Sequence, residues 1–304
     1  MGRNFWQKEV GRNNQLRRRE LLIGAGCTLV ASGLPSSARA ANIDAAKLLK
    51  SFDSTLANLE QSPDLVERSR GYREFVNLNL GLETAPLQAE PSNTPISQRS
   101  SNLLIQFEVT SSKVYEKRYR SPTWPRGKSG VTVGIGYDIG YAEPHEIRKD
   151  WSGYVAADDL NSLTTASGII GEPAKSYAQS LAAISIPFDV ANHQFLEVMQ
   201  PRYVGITERA LPNFDSLPAD CRGALVSLVY NRGATFGIAA EKDRKGRYSE
   251  MRAIKLAMQT GQYRKIPDLL LSMTRLWAND PDLKGLVIRR RLEATLFLIG
   301  LAGA

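Results

Sequence analysis

The stretch that most limits what this chain can fold into is Ser129-Gly-Val-Thr-Val-Gly-Ile-Gly-Tyr-Asp138. From Val131 to Tyr137 apolar residues alternate with Thr132, Gly134 and Gly136, the period of a half-buried strand. A straight strand would hold Thr132 and Asp138 roughly 20 Å apart, at about 3.3 Å per residue. Gly134-Ile135-Gly136 offers a three-residue turn instead, because glycine takes the left-handed backbone that such loops need. A turn centred on Ile135 pairs Val133 with Tyr137 and Thr132 with Asp138. Directly opposed residues share a face, with Cβ atoms about 4.5–5.5 Å apart. The hairpin then presents a hydroxyl and a carboxylate together, while Val131, Val133, Ile135 and Tyr137 point the other way. The same glycines look like a dinucleotide-binding turn, but that turn opens a helix inside a βαβ unit. Here Asp138, Gly140 and Pro144 interrupt any helix at once.

At the start of the chain, Arg17-Arg18-Arg19 precede an apolar run, Leu21 to Leu34, that ends in Ala38-Arg-Ala40. This order predicts a signal peptide over residues 1–40, and the arginine cluster before a glycine-diluted run points to the twin-arginine route. A run of about 14 residues is shorter than the roughly 18 that span a bilayer. The protein is therefore expected to be exported, periplasmic or secreted, with no stable membrane anchor. The leader carries seven Lys/Arg and two Asp/Glu, so without it the net charge falls from +8 to +3. That balance argues against a nucleic-acid partner. Cys221 is then the one remaining cysteine, which excludes an intrachain disulfide. His145 and His193 are too few and too far apart to suggest a metal site, and no cofactor is expected.

Residues 41–83 carry a short helical pattern in Leu48, Leu49, Phe52, Leu56 and Leu59, and 84–100, with Pro86, Pro91 and Pro95, read as a Pro/Ser-rich linker. The larger domain is expected over 101–304, with 41–100 dispensable for chemistry. Ser101 is placed to cap one helix running through Leu103, Leu104, Phe107 and Tyr115, with Glu108 on it. After the hairpin, helices are expected over 143–151, 156–163, 173–184, 190–211, 218–230, 249–258, 263–273 and 286–299. The class is α+β, mostly helical, with a small β-hairpin. Cys221 lies beside the stripe Ala224, Leu225, Leu228 and Val229 and reads as a core residue. No Ser or Cys has a convincing His partner for a nucleophile-and-base triad.

Several spaced blocks together resemble the phage-type lysozymes, in their pesticin-like branch. They are Phe107-Glu-Val-Thr-Ser with Tyr115, Thr123-Trp-Pro, Ser129 to Tyr141, Ala224-Leu-Val-Ser-Leu-Val-Tyr-Asn-Arg-Gly233 and Gly285-Leu-x-x-Arg-Arg-x-x-Glu293. They run in family order from about 103 to 297. The resemblance implies a lysozyme-like fold with the hairpin at the cleft, acting as a monomer on peptidoglycan glycan strands. It implies hydrolysis of the β-1,4 bond between N-acetylmuramic acid and N-acetylglucosamine. Glu108 takes the place of the general acid, Thr132 and Asp138 those that hold or activate water, and Tyr137 and Asn231 substrate-binding positions. Most phage members carry the second carboxylate where this chain has Lys117. Glu116 beside it is a rival to Asp138, though as a helix-end residue flanked by lysines it reads as an ion-pair partner. The family glycine after the acid is Val109 here. A non-catalytic wall-binding or toxin-like protein that keeps the cleft is the competing expectation.

Overall fold

A computed structural model describes residues 44–70 and 89–303. The leader, with Arg17 to Arg19 and Ala38-Arg-Ala40, lies outside the described residues. The described residues form one compact unit. It is mostly helical with a two-stranded antiparallel sheet.

Helices α1 (Ala45–Glu60) and α2 (Pro63–Arg70) are followed, beyond residue 88, by α3 (Gln98–Val109) and α4 (Ser112–Arg118). Strands β1 (Thr132–Val133) and β2 (Tyr137–Asp138) come next, then α5 (Pro144–Trp151), α6 (Ala157–Thr164), α7 (Pro173–Ser180) and α8 (Phe188–Gln194). A single π-helical segment, Phe195–Met199, joins α8 to α9 (Gln200–Ala210). The chain closes through α10 (Ala219–Arg232), α11 (Ser249–Gln259), α12 (Ile266–Ser272) and α13 (Lys284–Ala302). No helix among the described residues is long and apolar enough to cross a membrane.

Helix α13 is the axis of the packing, lying against α10, α12, α1 and α2. It is buried on nearly every side, through Leu286, Leu292, Leu296 and Phe297 but also through Arg289, Arg290 and Glu293. A helix covered all round has no single apolar stripe. Its charges must therefore find partners inside. Gly285 lets α2 dock at its start, since a Cβ there would strike the Leu65 carbonyl oxygen. Helix α10 is bracketed as its sequence predicts, with Pro218 just before it and Gly233 at φ 72 ending it.

Three expectations differ from the structure. The helical segment of 41–83 is not separate from the larger domain where it is described: Phe52, Leu59 and Val66 are buried in the common core, and Gln106 Nε2 donates to the Leu56 carbonyl at 2.6 Å. The Pro/Ser stretch, from residue 89 on, is a strap laid along α9 and α10. Ser92 N–H donates to the Pro201 carbonyl at 2.9 Å, Thr94 Oγ1 to Glu208 at 2.8 Å, and Arg222 Nε to the Pro95 carbonyl at 2.8 Å. Its composition suits an extended backbone, and side chains from the helices supply the partners that extended backbone needs. Finally, Ser97 rather than Ser101 caps α3, and the helix expected to continue to Tyr115 breaks at Thr110. The reason is local: Ser111 accepts from Val114 N–H and starts a new helix.

Candidate active site

The hairpin forms in the expected register, with Thr132 opposite Asp138 and Val133 opposite Tyr137. Both loop glycines take left-handed backbone, Gly134 at φ 57 and Gly136 at φ 77. The Thr132 N–H and carbonyl bond to Thr123 on the other side, at 2.8 and 2.9 Å, so Thr132 meets Asp138 as a non-hydrogen-bonded pair. Such pairs bring side chains closest. The apolar alternates Val131, Val133, Ile135 and Tyr137 are all buried.

Tyr137 anchors the hairpin from behind. Its hydroxyl donates to Asp150 Oδ2 at 2.9 Å, and Asp150 is held by both Nη atoms of Arg202 at 2.7 and 2.8 Å. Burial first, and then Asp150, raise its phenol far above the ordinary value. A fully buried ring bound to a buried ion pair faces the core, so the substrate-binding place expected for Tyr137 is not where the side chain lies. The alternation that pairs Thr132 with Asp138 demands this.

Glu108 reaches the other side of the loop. It is buried at 4 % exposure. A Cβ built on Gly136 would lie 2.8 Å from Glu108 Oε2 and 3.0 Å from the Tyr230 hydroxyl, so the absence of a side chain is what admits the carboxyl. Tyr230 in turn donates to the Ile135 carbonyl at 3.0 Å, tying α10 to the loop tip. Arg289 Nη1 donates to Glu108 Oε1 at 3.2 Å, while its Nη2 donates to the Ser227 carbonyl at 3.1 Å and its guanidinium lies over the Phe107 ring. Two residues past Glu108, Thr110 stands at φ 67 and ψ −57 with Ser111 N–H bonded to the Val109 carbonyl across it at 2.8 Å. That is the rare, strained form of γ-turn. Strain of this sort persists only where its surroundings hold it.

Asp138 is half-buried, and its carboxylate accepts from Gly130 N–H at 3.0 Å and from Gly140 N–H at 3.1 Å. Thr132 Oγ1 donates to the Gly130 carbonyl at 3.3 Å. The hairpin thus places Glu108, Thr132 and Asp138 around one short β-ribbon. A family model described as a domain of unknown function (DUF8812) matches residues 104–207. No curated protein matches the chain. The matched stretch contains Glu108, Thr132 and Asp138 but neither Tyr230 nor Arg289, so part of the constellation is supplied from beyond it.

Behind Arg289 lies a buried charge cluster. Glu293 Oε1 accepts from Ser227 Oγ at 2.6 Å and from Arg290 Nη2 at 2.7 Å, and Arg290 Nη2 also reaches Asn231 Oδ1 at 3.3 Å. Asn231, another expected substrate contact, is 7 % exposed and is engaged in this cluster. Burial raises Glu293 against the pull of both arginines and lowers Arg290 to about 9, which leaves it charged at neutral pH. Glu116 lies elsewhere, on the surface. It pairs with Arg120 at 2.9 Å and accepts from Phe188 N–H at 2.7 Å, as a structural tie between α4 and α8. His145 and His193 are exposed, and Cys221 is buried with its thiol donating to the Phe297 carbonyl at 3.2 Å. Burial pushes that thiol up to about 12, the behaviour of a core residue. Sequence reasoning missed Tyr230 and Arg289 as site residues. The one available signal was Arg-Arg-x-x-Glu, charges at spacings i, i+3 and i+4 in an otherwise apolar helix.

Proposed function

We propose that the protein is a peptidoglycan hydrolase of the lysozyme type, cleaving the β-1,4 bond between N-acetylmuramic acid and N-acetylglucosamine. The observation that carries this reading is the approach of Glu108 Oε2 to side-chain-free Gly136 on the hairpin where Thr132 faces Asp138. Glycoside cleavage needs one carboxyl that protonates the leaving oxygen and one carboxylate across the sugar. Arg289 donates to Oε1, so a proton carried by Glu108 resides on Oε2, toward the loop. Asp138, whose oxygens accept backbone N–H groups, is the second carboxylate, and with Thr132 it orients the attacking water.

A second reading, a wall-binding protein without turnover, is favoured by one observation. Both oxygens of Asp138 accept backbone N–H groups and close the turn into the 3-10 segment Ile139–Tyr141, as a purely structural aspartate would. Digestion of purified peptidoglycan decides between them. The hydrolase reading expects new reducing N-acetylmuramic acid ends by borohydride labelling and mass spectrometry, lost in Glu108→Gln. Binding to the wall with no new ends selects the second reading.

A further inference from the structure

A cavity of about 660 Å³ opens where α2, α4, the 121–130 loop and α7 meet, and its lining includes Glu67, Arg70, Tyr119, Trp124 and Arg126. Its charge is mostly positive. Arg118 and Lys175 also line it, but each has an acidic neighbour, Asp64 at 3.2 Å and Glu172 at 3.7 Å. Glu67 accepts from the Tyr119 hydroxyl. Among the described residues, Arg70 and Arg126 are the lining cations without an acidic partner within salt-bridge distance.

Arg70 lies with its guanidinium 4.2 Å from the centre of the Tyr119 ring, and its Nη2 is buried without a hydrogen-bond partner among the described residues. Nη2 itself is closed off from solvent, so a ligand meets Arg70 through the part of its side chain that lines the cavity. Arg126 is exposed, stands at φ 83 and forms no ion pair among the described residues. A long side chain in left-handed backbone is uncommon, and such positions cluster at ligand clamps. Pro122, Ala178 and Ala182 add apolar surface to the same lining.

The cavity adjoins the hairpin. Thr123 lines it and is the strand neighbour of Thr132, which faces Asp138. At about 4.8 Å between strands, its wall begins roughly 10 Å from Asp138, within reach of three or four extended residues. Guanidinium groups match carboxylates in a two-pronged fashion. Resting on the reading above, we propose that this cavity binds a carboxylate of the short acidic peptide carried by the glycan, so that the protein distinguishes peptide-bearing strands from bare ones. Nothing of this lies in the blocks that resemble lysozymes except Thr123-Trp-Pro, since Arg70 belongs to α2.

Calorimetric titration of the full chain with a soluble acidic stem tetrapeptide tests it, alongside the same peptide with its carboxylates amidated and inorganic phosphate. The wild type should bind the acidic peptide, and amidation should abolish the heat. Arg126→Gly, which relieves the left-handed strain, should weaken binding about tenfold, the worth of one charged hydrogen bond, and Arg126→Glu should weaken it further. Arg70→Met should do the same, and Arg126→Gly keeps the test valid if that variant folds poorly. An unchanged affinity in Arg126→Gly, equal binding of the amidated peptide, or phosphate binding as tightly as the peptide would each overturn the assignment. Lysis is scored separately. A wild type that binds the peptide but releases no reducing ends refutes the hydrolase and leaves this site standing. A lytic wild type that ignores the peptide does the reverse.

Discussion

Gly136 sits at φ 77 with Glu108 Oε2 and the Tyr230 hydroxyl where its side chain would be. Alanine there is strained twice, by backbone and by contact. Gly136→Ala should cost about 1–3 kcal/mol of stability in urea unfolding and abolish lysis; retained lysis would mean that Glu108 does not need this approach. Glu108→Gln and Asp138→Asn should each lower turnover by at least roughly 10²-fold, the scale of general acid–base help, with folding intact by circular dichroism. Full activity in Asp138→Asn would leave that carboxylate a turn-closing role only. Glu116→Gln, by contrast, removes an exposed i,i+4 pair and should change stability by less than about 1 kcal/mol while lysis persists. The pairing of Thr132 with Asp138 was legible beforehand because alternation and glycine spacing are local signals, and Glu116 as an ion-pair partner because it stands at a helix end. Arg289 was not, since it meets Glu108 from 181 residues away and such a pairing leaves no period in the sequence. The Thr110 break was missed because a continuous apolar pattern runs through it, and only Ser111 announces the new helix.

Among the elements, α1 and α2 carry the largest departure from the sequence reading. Proline and serine around residues 84–100 read as a boundary, yet the core on either side is shared. Removal of residues 1–97 would take away Phe52, Leu59 and Val66, each buried to 2 % exposure or less. At about 1.5–3 kcal/mol per side chain, that is comparable with the whole stability of an ordinary domain, about 5–15 kcal/mol. The shortened chain should therefore lose its cooperative thermal transition. A sharp melt at the wild-type temperature would show that 98–304 is self-sufficient. Several helices after the hairpin were readable from Pro at their starts or Gly past their ends, as at Pro144, Pro173 and Gly233. How α1 and α2 dock was not, because Gly285 opens the contact by lacking a side chain, and any glycine in a helix looks the same in sequence.

Across the whole molecule, stability should depend on acid pH through carboxylates that are not part of the hairpin. Burial alone would raise Asp243, but the N–H groups of Tyr248 and Arg247 and the Arg252 guanidinium outweigh it and hold the carboxyl below its ordinary value. The unfolded chain then takes up the proton more readily than the fold, so stability rises with pH in that window. The contribution is complete above the usual carboxylate pKa, near about 4, and is lost as pH falls through the folded value. Urea midpoints measured downward from neutral pH should fall below about pH 4, and Asp243→Asn should flatten that fall; an equally steep profile in the variant would assign the acid sensitivity to other groups. The Glu108–Arg289 pair has a consequence in time. On the ribosome the acid is made first and its guanidinium 181 residues later, roughly 10–35 s at about 5–20 residues per second. During that interval the nascent chain can already form its hairpin, but the guanidinium that meets Glu108 Oε1 does not yet exist. In a chain of this architecture the contact between Glu108 and Arg289 is completed only after α13 has been made.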